Sequence, residues 1–187
     1  MHDFHDFAIE TERLYLRCVE QCDAAAVSEA MVPEIARWLS SWEVPFTCDM
    51  AEERIADARK SAKAGVMLPL ALIEKVSGQF VGWVTFYRDY KDPTRGGVGY
   101  WIVCNAQGCG YLREVAQPVL RAVFDLLNVD VIEAGAQLEN SASFGVMKAW
   151  GMKPVADRMH YAPARGREEL CRYYEITRLD FMRANNR

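Results

Sequence analysis

A β-rich run, GVGYWIVC (97–104), passes through a loop punctuated by Gly108 and Gly110 into a long amphipathic helix, and this succession restricts the fold more than any other stretch. The helix is expected over Tyr111–Leu127, with Val115, Val119, Val123, Leu126 and Leu127 on one side and a local kink at Pro118. Successive N–H groups in such a loop point into one hollow, and the helix start adds about half a positive charge there. Glycines let a bulky anion approach the backbone closely. The chemistry fits a diphosphate cradle, although an ordinary turn has the same outline. Two nucleotide fingerprints fail on the letters. GxGxxG needs a third glycine, where the chain has Tyr111, Leu112 and Arg113. The GxxxxGK[ST] loop is absent.

The flanking segments set the architecture. ERLYLRC (12–18) alternates as a strand with Leu14 and Leu16 on one face. Asp23 is expected to cap a helix, AAAVSEAM, stopped near Pro33. EIARWLSSW (34–42) reads as a second helix ended by VPFT, and Ala51–Ala64 as a third closed by Gly65. LPLALIEK and QFVGWVTFY, joined at Ser77-Gly78, precede the 97–104 run as a meander. VDVIEAGAQ is then a strand and SASFGVMKAW a helix followed by Gly151, with KPVADRMHYAP and ELCRYYEITRL a closing hairpin. No repeat or low-complexity linker divides the 187 residues. A single domain over 1–187 is expected, of the α/β (α+β) class, with one mixed, mostly antiparallel central sheet flanked by helices. Loose tails are expected at 1–9 and 180–187.

Composition narrows the partners. A net charge of −4 argues against nucleic acid, which needs a basic face. No apolar run reaches the ~20 residues of a membrane span, so no membrane partner is expected. The acidic, interrupted opening MHDFHDFAIE is no signal peptide. A cytoplasmic chain is the expectation, with Cys18, Cys22, Cys48, Cys104, Cys109 and Cys171 as reduced thiols. Cys104 and Cys109 lack an accompanying Cys or His pair, so no metal site is expected.

Three motifs resemble one family. Gln107-Gly108-Cys109-Gly110-Tyr111 is similar to the (R/Q)xxGxG/A pyrophosphate loop of the GNAT acetyltransferases. Asn140 and Ser143, followed by Lys148, Trp150, Gly151 and Met152, resemble that superfamily's NxxS…K-x-GM/F helix. Thr11, Arg13, Leu14, Leu16 and Arg17 followed by Asp23 resemble the first strand of its Rim-type branch, the ribosomal-protein N-terminal acetyltransferases. The matches occur in the family's order over roughly residues 10–178. Cys109 departs from the usual Lys or Arg, and Leu112 from the usual Gly or Ala.

The resemblance implies an N-acetyltransferase that carries acetyl from acetyl-CoA, a co-substrate used without metal, to a protein N-terminal α-amine or a small amine. Val103, Gln107, Gly108, Cys109, Gly110, Tyr111, Leu112 and Asn140 would bind the cofactor. A free N–H around Ile102 would stabilise the oxyanion, Asn140 would orient the pantetheine and Ser143 would hydrogen-bond the leaving sulfur. Asn140 also reads as a plain N-cap, and Ser143 as an exposed helix serine. Many members have a tyrosine acid where Met147 stands. Glu133 and Glu139 read as solvated, and His160 and Tyr161 as packed or solvated strand residues. Trp38, Trp42 and Phe46 read as core aromatics or as an acceptor wall. An α-amine has a pKa near 8 against about 10.4 for lysine, so it needs little help from a base. Homodimers are common in this branch. The alternatives are an antibiotic- or polyamine-acetylating relative and an acyl-CoA-binding module without catalysis.

Overall fold

The computed structural model describes residues 3–185. The strands are β1 (Ala8–Glu10), β2 (Leu14–Cys18), β3 (Met67–Glu74), β4 (Phe80–Arg88), β5 (Arg95–Ile102), β6 (Val131–Gln137), β7 (Lys153–Ala162) and β8 (Arg167–Thr177). They form one sheet in the order β1-β2-β3-β4-β5-β6-β8-β7, and only β5 and β6 run parallel. The helices are α1 (Ala24–Ala30), α2 (Pro33–Ala36), α3 (Cys48–Lys63), α4 (Tyr111–Leu126), α5 (Ser141–Ala149) and α6 (Arg178–Asn185). The expected mixed, mostly antiparallel sheet flanked by helices is the observed one.

Alternation along the strands splits the core in two. Leu14, Leu16, Leu70, Val84, Phe86 and Val98 meet the apolar stripe of α4 on one face. On the other, Ala71, Trp83 and Trp101 meet α1, α3, Trp42 and Phe46. Thr47 caps α3 by accepting from the Met50 N–H, so the helix begins three residues before the expected Ala51. Gly65, at φ +68°, ends it as expected. Helix α4 runs through Pro118 unbroken.

Four expectations are corrected. The EIARWLSSW helix stops at Ala36 because tertiary donors take its carbonyls. Arg165 reaches the Leu39 oxygen at 2.8 Å, the Ala164 N–H reaches Ser40 at 3.0 Å and Arg54 reaches Ser41 at 2.5 Å. Those oxygens would otherwise accept within the helix. Asp23 makes no side-chain cap bond to α1. Its carboxylate, 5% exposed, takes both Arg17 Nη groups at 2.8 Å and the Glu20 N–H at 2.8 Å. The N-terminal stretch is docked rather than loose, with Phe4 buried and β1 paired to β2. Residues 178–185 form α6 and bury Phe181 against Phe124. Positions 1, 2, 186 and 187 of the expected tails lie outside the described residues.

Candidate active site

Strands β5 and β6 pair only from Arg95–Gly97 to Val131–Glu133 and then diverge. The Val103 N–H donates to Val81 O at 3.0 Å, which fixes the alternation along β5. Main-chain groups of Gly97, Gly99 and Trp101 therefore turn to β4, and those of Val98, Tyr100 and Ile102 turn to the gap. Gln107 Nε2 donates to the Ile102 carbonyl at 3.1 Å, while no β6 residue pairs with the Ile102 N–H. A cleft of about 1270 Å³ occupies the divergence.

The loop after β5 forms one end of that cleft. Gly108 and Gly110 have φ of +78° and +80°, the left-handed region that glycine occupies without strain. A Cβ at Gly108 would meet nothing within 4 Å, so open space lies above it. Among the described residues, the N–H groups from Gly108 to Leu112 have no acceptor within the protein. They stand at the start of the 16-residue α4, where the helix dipole favours an anion. Arg13 braces this loop from below, donating to the Cys109 carbonyl at 2.9 Å and to Glu114 Oε2 at 2.6 Å. Burial works against the Glu114 carboxylate, but bonds from the Thr11 hydroxyl and from Arg13 hold its pKa below the ordinary value.

Of the sequence-derived residues, the structure brings Ile102, Gln107, Gly108, Gly110, Tyr111, Leu112, Asn140 and Ser143 to the cleft wall. It does not bring Val103, whose N–H is spent on β4, or the Cys109 side chain, although the Cys109 N–H belongs to the run of free amides. Asn140 caps α5, its Oδ1 accepting from the Ser143 N–H at 3.1 Å. Its amide nitrogen has no partner among the described residues. Met147 is core, 1% exposed. Sequence reasoning missed Tyr100, whose hydroxyl lies 2.8 Å from Ser143 Oγ. It also missed the role of Arg13, which was visible only as a motif letter.

The other end is a trough. Its floor carries Tyr87 over Gly97 and Tyr173 over Gly135, and a Cβ at either glycine would lie within 2.7 Å of the ring. Arg158 stacks 3.8 Å over the Tyr173 ring. Burial raises the Tyr173 phenol to about 12. The wall is the irregular stretch after α2, with Trp38 and Trp42 at the cleft and Arg54 4.2 Å over the Trp42 ring. Two carboxylates of the trough, Glu133 and Glu169, are committed to ion pairs, while Glu43, Glu53 and Asp57 line the same cleft with no ion pair among the described residues. Glu133 accepts from Arg95 at 3.3 Å and from Arg158. Hydrogen bonds from Arg165 lower Glu169 to about 2, against partial burial and with help from Arg167 and Gln137.

Glu169 thereby holds Arg165, which holds the trough wall. A depressed carboxyl stabilises the fold above its unfolded value and loses that contribution as pH falls toward the folded one. Glu169→Gln should therefore lower unfolding free energy by about 1–2 kcal/mol at neutral pH, after discounting for solvent. The gap from the parent should close between about pH 5 and pH 2. Denaturant titrations across that range check it.

Diverging strands with an outward N–H and a bare-amide loop at a helix start meet in one cleft. The chain matches the model of the acetyltransferase (GNAT) domain over residues 13–153 and belongs to that family. As such it is an acetyl-CoA-dependent N-acetyltransferase. It is 26% identical over 159 residues to the uncharacterized N-acetyltransferase p20 of Bacillus licheniformis, covering 84% of this chain and 88% of that one. Its fold matches Mycobacterium smegmatis RimJ in complex with CoA-disulfide at a TM-score of 0.83 and 22% identity, covering 100% of this chain and 98% of that one. It also matches a ribosomal-protein-S5-alanine acetyltransferase from Vibrio fischeri at 0.81 and 20% identity, covering 94% and 99%. The fold is the Rim-type form. No helix among the described residues is long and apolar enough to cross a membrane, and no cluster of three metal-ligating side chains occurs among them.

Proposed function

We propose that the acceptor is a primary amine of low basicity, first of all a protein N-terminal α-amine and next a small amine. The observation that carries this is the state of the two carboxylates that the strands β6 and β8 bring to the trough. Glu133 and Glu169 are held by arginines, and Glu169 is a poor base. An acceptor that is already substantially neutral near pH 8 suits such a site, whereas a lysine near 10.4 does not.

The acyl-CoA reading assigns the diphosphate to the amides of Gly108–Leu112 and the pantetheine arm to the gap beside β6. The thioester carbonyl then lies against the Ile102 N–H, a donor worth roughly 3 kcal/mol to a developing oxyanion. The amine attacks the carbonyl carbon and the C–S bond breaks with its electron pair on sulfur. The proton lost by the acetylated nitrogen passes through water to the thiolate. The Asn140 amide nitrogen reaches the pantetheine, and Ser143 donates a hydrogen bond to the departing sulfur.

Acetyl-CoA titration with thermal melting tests the acceptor and the cofactor site when combined with thiol release. Saturation at 100 Kd should stabilise the protein by about 2.7 kcal/mol. Thiol release should then be faster with peptide α-amines than with blocked-N-terminus lysyl peptides. Equal rates with the two peptide classes remove the α-amine preference, and no stabilisation at millimolar cofactor removes the assigned cofactor site.

A further inference from the structure

Tyr100 lies on β5, the strand that carries the Ile102 N–H, and its hydroxyl crosses the cleft to the first turn of α5. It lies 2.8 Å from Ser143 Oγ and 3.1 Å from the Ser143 carbonyl. The phenol can donate to the carbonyl, which has a second lone pair beside the one in the helix ladder, or to Oγ, which has no other partner among the described residues. With its proton on the carbonyl the phenol accepts from Oγ. With its proton on Oγ it frees the serine's own proton for the cleft, the arrangement that an anion there would select. Trp150 packs 5.7 Å from the Tyr100 ring and fixes the phenol in place. Burial pushes the phenol well above its ordinary pKa, so it stays a donor throughout the neutral and alkaline range.

We infer that Tyr100 is a positioning residue that directs the Ser143 hydroxyl proton toward the sulfur of CoA, so that the two hydroxyls act as one device to stabilise the leaving thiolate. The inference rests on the reading of Ser143 given above. A hydroxyl that accepts one hydrogen bond becomes a stronger donor of the next, and a donor aimed at an anion contributes more than one aimed at a neutral atom. The device occupies the role that the missing tyrosine at Met147 leaves open.

The readout needs no acceptor. CoA is bound to the full chain at saturation, and its thiol is titrated by the ultraviolet absorbance of the thiolate. In the parent protein it should ionise about one pH unit below free CoA. Tyr100→Phe should remove most of that shift with CoA affinity unchanged, Ser143→Ala should remove it as well, and the double variant should go no further than Ser143→Ala. Replacing Tyr100 by 3,5-difluorotyrosine keeps the shape and strengthens the donor, so the thiol should then ionise lower still. Should Ser143→Ala raise the thiol pKa while Tyr100→Phe and the fluorinated residue leave it at the parent value, this inference falls and the Ser143 reading stands. If neither variant moves it, both fall.

Discussion

Gly108→Val should weaken CoA binding at least 100-fold, a loss of about 3 kcal/mol in binding free energy. The side chain would project into open space above Gly108, where nothing lies within 4 Å and where the diphosphate would sit. Valine also pays roughly 1–2 kcal/mol to hold the left-handed conformation, which alone would lower the melting temperature by a few degrees in a chain this size. Gly78→Val separates the two effects. Gly78 has φ +67° and equally open surroundings, but it sits in the turn between β3 and β4. It should cost the same stability and leave affinity intact. Calorimetric titration of both variants with CoA measures the difference. Equal affinities would mean that the bare amides serve no anion.

The sheet and the loop were legible because their signals are local. Alternation in LYLRC and the sequence QGCG before an apolar helix need no distant partner to be understood. What sequence reasoning missed is set by contacts far apart in the chain. The stretch 37–42 has helical letters, yet Arg165, Ala164 and Arg54 claim its carbonyls from up to 126 positions away. Asp23 has the letter of a cap and the environment of a buried counter-ion for Arg17. Tyr100 looked like one more strand aromatic, since only the divergence of β5 from β6 puts its hydroxyl beside Ser143. The pairing of the trough carboxylates was likewise invisible, because Glu133 meets Arg95 and Arg158 only after β5, β6 and β7 share a sheet.

Trp150→Ala should be the most destabilising single change, at about 3–5 kcal/mol. The ring is 3% exposed, stacks 5.8 Å from Phe86 and leans 5.7 Å from Tyr100. Its Nε1 donates to the Leu112 carbonyl at 2.7 Å, a bond between the end of α5 and the first turn of α4. Truncation opens a cavity in the core and leaves that carbonyl without its donor. At roughly 2–4 °C per kcal/mol for a chain of this length, the melting temperature should fall by about 10–15 °C. Trp150→Phe retains most of the stack but loses the hydrogen bond, and should cost about 1–3 kcal/mol. The two variants should part in binding as well. Leu112 closes the run of free amides, so releasing its carbonyl loosens the turn that the cofactor's phosphates would grip. Trp150→Phe should therefore weaken CoA binding several-fold by calorimetry while its fold, read by near-ultraviolet dichroism, stays intact. An unchanged affinity would show that the α5–α4 bond supports the core alone and has no part in holding the loop.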